Sequence, residues 1–540
     1  MNVLLSYMKM FLCGAWLLLL LGCGSNEALV TVQTETQTSS SGTTTDPVTV
    51  TLSVDKEAIF EDAAPSFEQV IDGDTAGDVF GVMSISGDGQ LLAVGAPEYA
   101  GGIGFLRLFE KDGTSWVQIG TDVTGDSVFD LFGASIDISD DGTVIAVGAL
   151  GSDSNGTDSG LVEVYTWNGT TLVQRGPDIP GGGAGHNAGV SVALSADGDV
   201  LAVGSSGANN DRGEVNVYDW NETGSSWDLR DQTIDGDADR NMYGYDVALS
   251  DDGTILAIGI PSAFTSTDPG RVRVFSWDET SWSQLGQTLD GDANQDTFGM
   301  SIALSDDGSR LIVGAPFWPF VKVPAVSAYA RVYSLLGSTW TPLGLDIEAE
   351  SLSDGTGVGV AMSGDGDTIL VGSSLGGDSD EGLFRQYTLE SGVWTQRGET
   401  IYGDENNDFF GWSVDMSSDG ITTYGAGALY SDNFRGHVHI VSTDSASASL
   451  TVTARLSQVV LGDVVVALDS IGVATGGGVD YTVSSSNIVI TTGQLQSSVT
   501  MSGVPDMVTE GSESVILFIS SVNGGIAGDE AQVTIRIDDN

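Results

Sequence analysis

Carboxylates are the most frequent side chains of this sequence that could take part in chemistry. Its 540 residues contain 75 Asp and Glu, but only two Cys and three His, namely His186, His437 and His439. His437 and His439 alternate along one predicted strand and face the same side. This would permit a metal pair, although we prefer a structural role for both. An enzyme needs a polarised nucleophile, a tuned acid–base pair or a catalytic metal. Paired carboxylates for glycoside hydrolysis depend on spatial placement, so the sequence singles out no pair.

Aspartates recur in pairs, four residues apart, in glycine-rich turns. The pairs are Asp74 with Asp78, Asp126 with Asp130, Asp292 with Asp296, and Asp404 with Asp408. A further group comprises Asp153, Asn155 and Asp158. Oxygen-rich loops of this kind could hold calcium, but Asp in such turns more often caps the local backbone. We prefer turn capping and keep calcium as the alternative.

The charge balance and composition exclude two classes of protein. Eighteen Lys and Arg against 75 Asp and Glu give a net charge of −57, so the chain lacks the cationic surface that binding to nucleic acid requires. A hydrophobic content of 41% and a mean hydropathy of +0.08 argue against a disordered chain. With 74 Gly and 12 Pro, the composition favours an all-β chain of short strands and many tight turns.

The N-terminus is typical of an exported protein. Residues 1–22 place Lys9 before an apolar run that is too short to span a bilayer. The run ends in Leu20-Leu21-Gly22-Cys23, which resembles the bacterial lipobox. The resemblance implies that Cys23 becomes a lipidated N-terminus anchored to a membrane. Because Gly24 follows and not Asp, it also resembles the pattern sorted to the outer membrane or cell surface of Gram-negative bacteria. An ordinary signal peptide is the alternative.

Leader removal would leave a chain without disulfides. Cys13 lies in the leader, so Cys23 would be the one cysteine of the mature chain, and stability must come from packing or metal. Residues 23–48 are rich in Ser and Thr and predict a flexible tether between the lipid and the folded part.

One sequence unit is repeated seven times between residues 67 and 443. Each unit has an anchor glycine and a Ser-x-Asp-Gly element, and Asp-Gly between apolar runs is a strong hairpin signal. The anchor glycines are Gly81, Gly133, Gly189, Gly244, Gly299, Gly359 and Gly411. Each unit holds four short β runs, which the clearest copies place at residues 301–304, 311–314, 271–276 and 282–289. Seven units of four strands predict a seven-bladed β-propeller.

The array begins out of phase, which predicts how the ring closes. Residues 67–71 match an outermost strand, whereas the last unit stops after its third strand, residues 436–442. The first segment can therefore complete the last blade and cover edges that would otherwise promote aggregation. Seven tryptophans recur at set places in the units, and we expect them to pack between blades and not to bind sugars. They are Trp116, Trp167, Trp220, Trp277, Trp282, Trp340 and Trp394.

The repeat resembles the FG-GAP repeat of integrin-α-type propellers. Phe80-Gly81 followed by Gly95-Ala96-Pro97, and Phe298-Gly299 followed by Gly314-Ala315-Pro316, carry the resemblance. It implies the propeller fold but no particular function. The calcium loop that integrin blades carry between their first two strands is replaced here by the short Ser-x-Asp-Gly turn, so the resemblance does not imply integrin-type calcium sites.

From residue 447 onwards the repeat gives way to alternating strands, a spacing typical of an Ig-like sandwich. Residues 474–482, residues 506–513 and the closing Ile537-Asp538-Asp539-Asn540 resemble the Calx-β domain. That family normally opens with a further strand and an acidic turn, and residues 50–62 resemble this opening. The predicted fold is therefore all-β: a seven-bladed propeller, residues 65–446, inserted after the first strand, residues 49–64, of a Calx-β sandwich completed by residues 447–540. An independent edge strand is the alternative.

The Calx-β resemblance implies calcium held at one end of the sandwich. The positions that match the family's acidic ligands are Glu61, Asp480, Asp506, Glu510, Asp538 and Asp539. Pro505 and Asn540 replace acids that are common in the family, so fewer ions or weaker binding are expected. An acidic cluster without an ion is the alternative.

Together these features predict a surface-anchored, non-catalytic binding or adhesion lipoprotein with a calcium-stabilised Calx-β domain. Its partner would be an extracellular protein or a glycan. Two alternatives remain: a propeller-based polysaccharide hydrolase or lyase, and a structural component of the cell envelope.

Overall fold

Short β-strands make up nearly all of the described structure. The computed structural model describes residues 50–54, 59–61, 66–113, 115–262, 267–317, 328–351, 354–377, 380–404, 406, 408–443, 449–456, 464–472, 481–483, 487–492, 494, 496–503, 513–523 and 532–538. Its helices are single turns at Tyr99–Gly102, Ala208–Asp211 and Ser431–Phe434. None of the helices in these ranges has the length and apolar character needed to cross a membrane.

The chain divides into two units. One is Pro65–Asp444, and the other combines Met1–Ala64 with Ser445–Asn540. The first unit is the predicted seven-bladed propeller, in which each blade is an antiparallel sheet. The strands of a blade follow one another along the chain, except that the last blade includes the first strand of the unit. The all-β fold and the seven blades are thereby confirmed.

The blades are numbered in chain order, with their strands counted outwards from the propeller axis. Blade 1 comprises Val82–Ile85, Leu91–Gly95, Phe105–Asp112 and Ser115–Thr124, and blade 2 comprises Phe132–Ile138, Val144–Ala149, Leu161–Trp167 and Leu172–Gln174. Blade 3 comprises Ala188–Leu194, Val200–Ser205, Glu214–Asn221 and Ser226–Leu229, and blade 4 comprises Asp246–Leu249, Ile255–Ile260, Arg271–Trp277 and Trp282–Gln284. Blade 5 comprises Ile302–Leu304, Arg310–Ala315, Tyr329–Leu336 and Thr339–Pro342, and blade 6 comprises Thr356–Met362, Thr368–Ser373, Leu383–Glu390 and Val393–Tyr402. Blade 7 comprises Phe410–Met416, Thr423–Ala428, His437–Thr443 and Ser66–Asp72.

The outer strand of blades 2 to 5 is interrupted. A second short piece pairs with the third strand in each of them, at Ile179–Pro180, Ile234–Asp235, Leu289–Asp290 and Ile347–Glu348. The single run predicted over residues 282–289 is therefore wrong. Gly286 stands at the break with a φ of 80°, in the left-handed region that glycine adopts readily.

The first described strand of the propeller closes the ring, as predicted. Ser66–Asp72 pairs antiparallel with His437–Thr443, with Asp72 opposite His437. The closing strand also holds the next blade, because the Trp116 backbone N–H donates to Gln69 Oε1 over 2.7 Å. The Trp116 indole N–H in turn donates to Ser442 Oγ over 3.1 Å. Backbone pairing thus completes blade 7, and the two hydrogen bonds of Trp116 hold blade 7 to blade 1.

Paired glycines explain why two glycines recur in every unit. The second-strand glycine of each blade faces the backbone of the next blade's anchor glycine so closely that a Cβ would not fit. A Cβ on Gly95 would lie 2.2 Å from the Gly133 carbonyl oxygen, and one on Gly427 would lie 1.9 Å from that of Gly81. The contact recurs at all seven junctions, so the sequence motif marks the blade-to-blade interface.

The sixth unit corrects one predicted anchor. A Cβ on Gly314 would lie 1.9 Å from the carbonyl oxygen of Gly357, not of Gly359. The register between the first two strands of this blade shifts between Thr356 and Val360. The same shift stands at the anchors of blades 2, 3 and 7, and it identifies Gly357 as the anchor here. The alternation of Gly355, Gly357 and Gly359 conceals this in the sequence.

The tryptophans pack between blades, as expected. Trp116, Trp340 and Trp394 are buried. The Trp340 indole N–H donates to the Leu285 carbonyl of blade 4 over 3.0 Å, and that of Trp394 donates to the Leu343 carbonyl of blade 5 over 2.9 Å. Trp167, Trp220, Trp277 and Trp282 are half-buried. These contacts give the tryptophans a structural role.

The smaller unit contains two sheets. One has the strand order Val50–Val54, Ser449–Leu456, Gln496–Gly503 and Tyr481–Val483, and the other has the order Ile59–Glu61, Gln532–Asp538, Glu513–Asn523, Val464–Gly472 and Asn487–Ile490. Val50–Val54 pairs antiparallel with Ser449–Leu456. Ile59–Glu61 pairs parallel with Gln532–Asp538. The segment before the propeller thus adds one edge strand to each sheet of the segment that follows it.

Candidate functional site

The propeller axis contains a cavity of about 310 Å³. The first strands of all seven blades line it, together with the turns that follow them. At its mouth stands the second residue of each Ser-x-Asp-Gly turn, which we call the mouth ring. The mouth ring consists of Gly87, Asp140, Ala196, Asp251, Asp306, Gly364 and Ser418.

Backbone hydrogen bonds join the mouth ring into an almost continuous circle. Each bond runs from the N–H of one ring residue to the carbonyl of the ring residue in the next blade. Six such bonds form, and their lengths lie between 2.7 and 3.1 Å. The shortest joins the Gly364 N–H to the Ser418 carbonyl, and the longest joins the Asp140 N–H to the Ala196 carbonyl. The mouth is therefore fixed by the main chain, whatever side chain each position carries.

Three carboxylates and four small residues share this ring. Asp251 and Asp306 belong to neighbouring blades, and Asp140 is separated from Asp251 by Ala196. Glycines beside two of the acids make room for them: a Cβ on Gly364 would lie 2.0 Å from Asp306 Oδ2, and one on Gly87 would lie 2.8 Å from Asp140 Cγ. The mouth therefore concentrates negative charge without a bulky side chain across it.

The mouth carboxylates hold their protons more tightly than ordinary aspartates do. Burial, followed by the charge of Asp140, raises the pKa of Asp251 to about 7 and that of Asp306 to about 6. A hydrogen bond between the two carboxyl groups raises the pKa of Asp251 further and lowers that of Asp306. Burial also raises the pKa of Asp140. None of the residues that line the cavity is Lys, Arg or His, so these charges face no counter-charge there.

Three further acids stand deeper in the cavity wall and join neighbouring blades. Asp137, Asp246 and Asp415 accept backbone N–H groups of Leu194, Ile302 and Ile85 over 2.6, 2.8 and 2.7 Å. All three residues line the cavity. Burial raises the pKa of Asp137 to about 7 and the pKa values of Asp246 and Asp415 to about 6.

Serines take the same role at further positions of the wall. Ser84 accepts the N–H of Ile138, Ser191 that of Val247, Ser301 that of Val360, and Ser413 that of Met83, over 3.1 to 3.3 Å. Hydroxyl and carboxylate oxygens are interchangeable here because each position needs one acceptor for one donor from the next blade. The wall acids are thus structural links.

The comparisons with known proteins concern the fold. No family model matches the sequence, and no curated protein is significantly similar to it. Among solved structures, a putative 6-phosphogluconolactonase from Bacteroides uniformis is similar over 60% of this chain and 86% of its own, with 12% identity and a TM-score of 0.42. One from Bacteroides fragilis is similar over 60% and 85%, with 14% identity and the same TM-score. Similarity at this level says nothing about activity.

The paired aspartates in the loops bind protein groups. Asp74 forms an ion pair with Arg107 over 2.6 Å, and Asp292 forms one with Arg331 over 2.7 Å. The second member of each of these pairs accepts a backbone N–H of its own turn: Asp78 from Thr75 over 2.9 Å, and Asp296 from Ala293 over 2.7 Å. The backbone contacts of Asp78 and Asp296 are the predicted turn capping. The first member of each of these two pairs instead binds an arginine side chain.

The loop with Asp153, Asn155 and Asp158 is also held by internal contacts. The Asp158 N–H donates to Asp153 Oδ1 over 2.9 Å, and the Asn155 side-chain amide donates to the Gly181 carbonyl over 2.8 Å. Within the described part of the chain, no three His, Cys, Asp or Glu side chains are grouped so that they could hold a metal ion.

The histidines make aromatic and hydrogen-bonding contacts. The rings of His437 and His439 lie 6.0 and 5.8 Å from the Phe410 ring. His437 Nδ1 is 2.9 Å from Ser431 Oγ. His186 Nδ1 is 3.1 Å from Glu214 Oε1. The contacts of His437 and His439 agree with the preferred structural role.

Most of the predicted calcium ligands, and the lipidation site, lie outside the described residues. These are Asp480, Asp506, Glu510, Asp539 and Cys23. Glu61 and Asp538 lie in strands, where the parallel register places their Cα atoms opposite each other. The backbone thus brings together two predicted ligands that are 477 positions apart in the sequence. Calcium and lipid at these positions stay predictions.

The acids of the axis were not among the predicted site residues. Asp140, Asp251 and Asp306 each stand one position before the Asp of a Ser-x-Asp-Gly turn. The sequence Ser-Asp-Asp-Gly could have identified them, because it occurs in the units of these three residues and in no other unit. Asp137 and Asp415 also interrupt apolar first strands, a pattern that indicates a polar cavity and not solvent.

Proposed function

We propose that this protein is a surface-anchored, non-catalytic binding or adhesion lipoprotein, held to the outer membrane or cell surface through Cys23. The observation that carries the proposal is the closed propeller ring, whose axial polar groups bond blade to blade. Such a ring is a rigid support, and binding residues are commonly found on loops that a rigid support positions. The partner is an extracellular protein or a glycan.

Exposed aromatic side chains on the loops around blade 1 support this proposal. Phe129 is 73% exposed and Phe434 is 50% exposed. The Phe434 carbonyl accepts the N–H groups of Gly77 and Val79 over 3.1 and 2.8 Å, and the Phe129 N–H donates to Gly101 over 3.3 Å. Both aromatic residues are therefore fixed against loops of the same blade. Exposed, well-held aromatic rings are typical of surfaces that bind proteins or sugars.

A binding array with matched variants tests the proposal. The protein from residue 24 to residue 540 is applied to immobilised glycans and extracellular proteins, with and without calcium. We expect a ligand whose binding falls at least about tenfold in F129S/F434S, which corresponds to about 1.4 kcal/mol. The control is L345S, since Leu345 is 82% exposed but belongs to blade 5. Equal binding by the wild type and F129S/F434S would refute the role of the blade 1 loops.

Calcium binding by the smaller unit belongs to the same proposal. The backbone register that pairs Glu61 with Asp538 supports it, because it brings together two predicted ligands that lie far apart in the sequence. Oxygen ligands of this kind suit calcium, and extracellular modules bind it at about 10⁻⁴ to 10⁻³ M. The predicted ligands are Glu61, Asp480, Asp506, Glu510, Asp538 and Asp539.

A polysaccharide hydrolase or lyase is the second candidate. The neighbouring carboxyl groups of Asp251 and Asp306 at the cavity mouth favour it, since a pair with different pKa values can serve as acid and base. Assays on a panel of polysaccharides with the wild type, D251N and D306N test this candidate. Activity that both variants abolish would support it, and activity that both retain would refute it.

A further inference from the structure

The junction between blades 4 and 5 depends on acids more than any other part of the axis. Asp251 and Asp306 stand side by side in the mouth ring, and the Asp251 N–H donates to the Asp306 carbonyl over 2.9 Å. Deeper in the wall, Asp246 of blade 4 accepts the Ile302 N–H of blade 5 over 2.8 Å and the Ser191 hydroxyl of blade 3 over 2.9 Å. Carboxyl groups therefore face each other where two blades meet.

Further carboxylates act on the pair of Asp251 and Asp306. Asp140 acts on both carboxyl groups from across the ring, Asp252 on Asp251, and Asp307 and Asp365 on Asp306. The nearby Arg310 forms its ion pair with Asp367 and does not line the cavity. Two adjacent carboxylates without a cation cannot both ionise at low cost, so one proton shared between them is the stable arrangement.

We propose that the axis contains a pH-sensitive lock, in which Asp251 and Asp306 share one proton across the junction between blades 4 and 5. Loss of this proton to bulk water leaves two facing carboxylates, whose repulsion weakens the junction. The propeller is a closed ring, so weakening one junction weakens the closure of the whole ring.

The direction of the effect follows from the pKa values. Asp251 titrates at about 7 and Asp306 at about 6 in the folded protein, against 3.8 for an ordinary aspartate. The folded state therefore binds more protons than the unfolded state between about pH 4 and pH 7. The stabilisation is complete below about pH 4 and is lost as the pH rises through about 7.

Unfolding followed by tryptophan fluorescence tests the lock on the whole mature chain. Ten of the 11 tryptophans lie within Pro65–Asp444, and the other is Trp16 of the leader, so the signal reports the propeller alone. We expect the wild-type thermal midpoint to fall between pH 5 and pH 8. In D251N/D306N the fall should be smaller, and the midpoint at pH 8 should exceed that of the wild type by about 2–4 °C.

A control variant separates the lock from the general repulsion of an acidic protein. E110Q/D112N removes the same number of charges from exposed positions of blade 1 and should keep the wild-type pH dependence. D251A serves if the double variant folds poorly, because blade 3 carries Ala196 at the same ring position. D251A should also reduce the pH dependence.

Hydrogen exchange locates the effect. In the wild type, the protection factors of the Asp251 and Ile302 amides should fall between pH 5 and pH 8 more than that of the Ser418 amide, which donates to the Gly87 carbonyl at the junction between blades 7 and 1. Equal pH dependence of the midpoint in the wild type and both Asp251 variants, or a uniform loss of protection around the ring, would overturn the proposal.

Discussion

The glycine contacts between blades predict a large effect from a single added methyl group. Gly314 lies within the second strand of blade 5, and a Cβ there would stand 1.9 Å from the Gly357 carbonyl oxygen and 2.9 Å from its carbonyl carbon. Real Cβ atoms essentially never approach other atoms closer than 3.0 Å. In Gly314→Ala the two blades must therefore separate by about 1 Å.

The expected cost follows from the absence of any flexible atom at this contact. Both partners are backbone, and the ring is closed, so the separation must be shared with the neighbouring junctions. Overpacking in a dense interior costs about 1–3 kcal/mol, and we expect about 3 kcal/mol because no side chain can move aside. Tryptophan fluorescence during urea unfolding of the propeller measures this loss.

Gly183→Ala is the matched control for this experiment. A Cβ on Gly183 would meet only His186, at the ordinary distance of 3.5 Å. The backbone of both glycines also lies outside the left-handed region, so both variants reduce the freedom of the unfolded chain alike. We expect Gly183→Ala to be neutral or stabilising by up to about 1 kcal/mol. A Gly314→Ala variant as stable as Gly183→Ala would refute the close approach of the blades.

Three further predictions concern the anchor, the ring closure and the smaller unit. Cys23→Ser should release the protein from membranes or block leader removal, and unchanged partitioning into detergent would contradict lipidation. Deletion of Ser66–Asp72 exposes the strand His437–Thr443, so we expect aggregation or a lower thermal midpoint, and wild-type behaviour would show that the closing strand is dispensable. Millimolar calcium should raise the calorimetric midpoint of the smaller unit by mass action, less so in Glu61→Gln than in Glu110→Gln, and equal shifts would remove Glu61 from the ligand set.

Local sequence determined the number of blades and the way the ring closes. Asp-Gly turns and anchor glycines specify backbone conformations that few other residues adopt, so their recurrence counts the blades directly. The out-of-phase start predicted that Ser66–Asp72 completes blade 7, since an unpaired third strand needs a partner. The anchor of the sixth unit was misplaced, because glycines alternate there and only the contact with Gly314 in the neighbouring blade distinguishes Gly357 from Gly359.

Tertiary structure alone decided what the axis contains. Asp140, Asp251 and Asp306 lie about one or two repeats apart in the sequence, and each one looks like an ordinary polar residue in an exposed turn. Ring closure directs the same position of every blade towards one axis, so residues from distant repeats become neighbours. Their burial, which raises the pKa values of all three, and the repulsion by Asp140, which adds to the shifts of Asp251 and Asp306, exist only once the seven blades surround them.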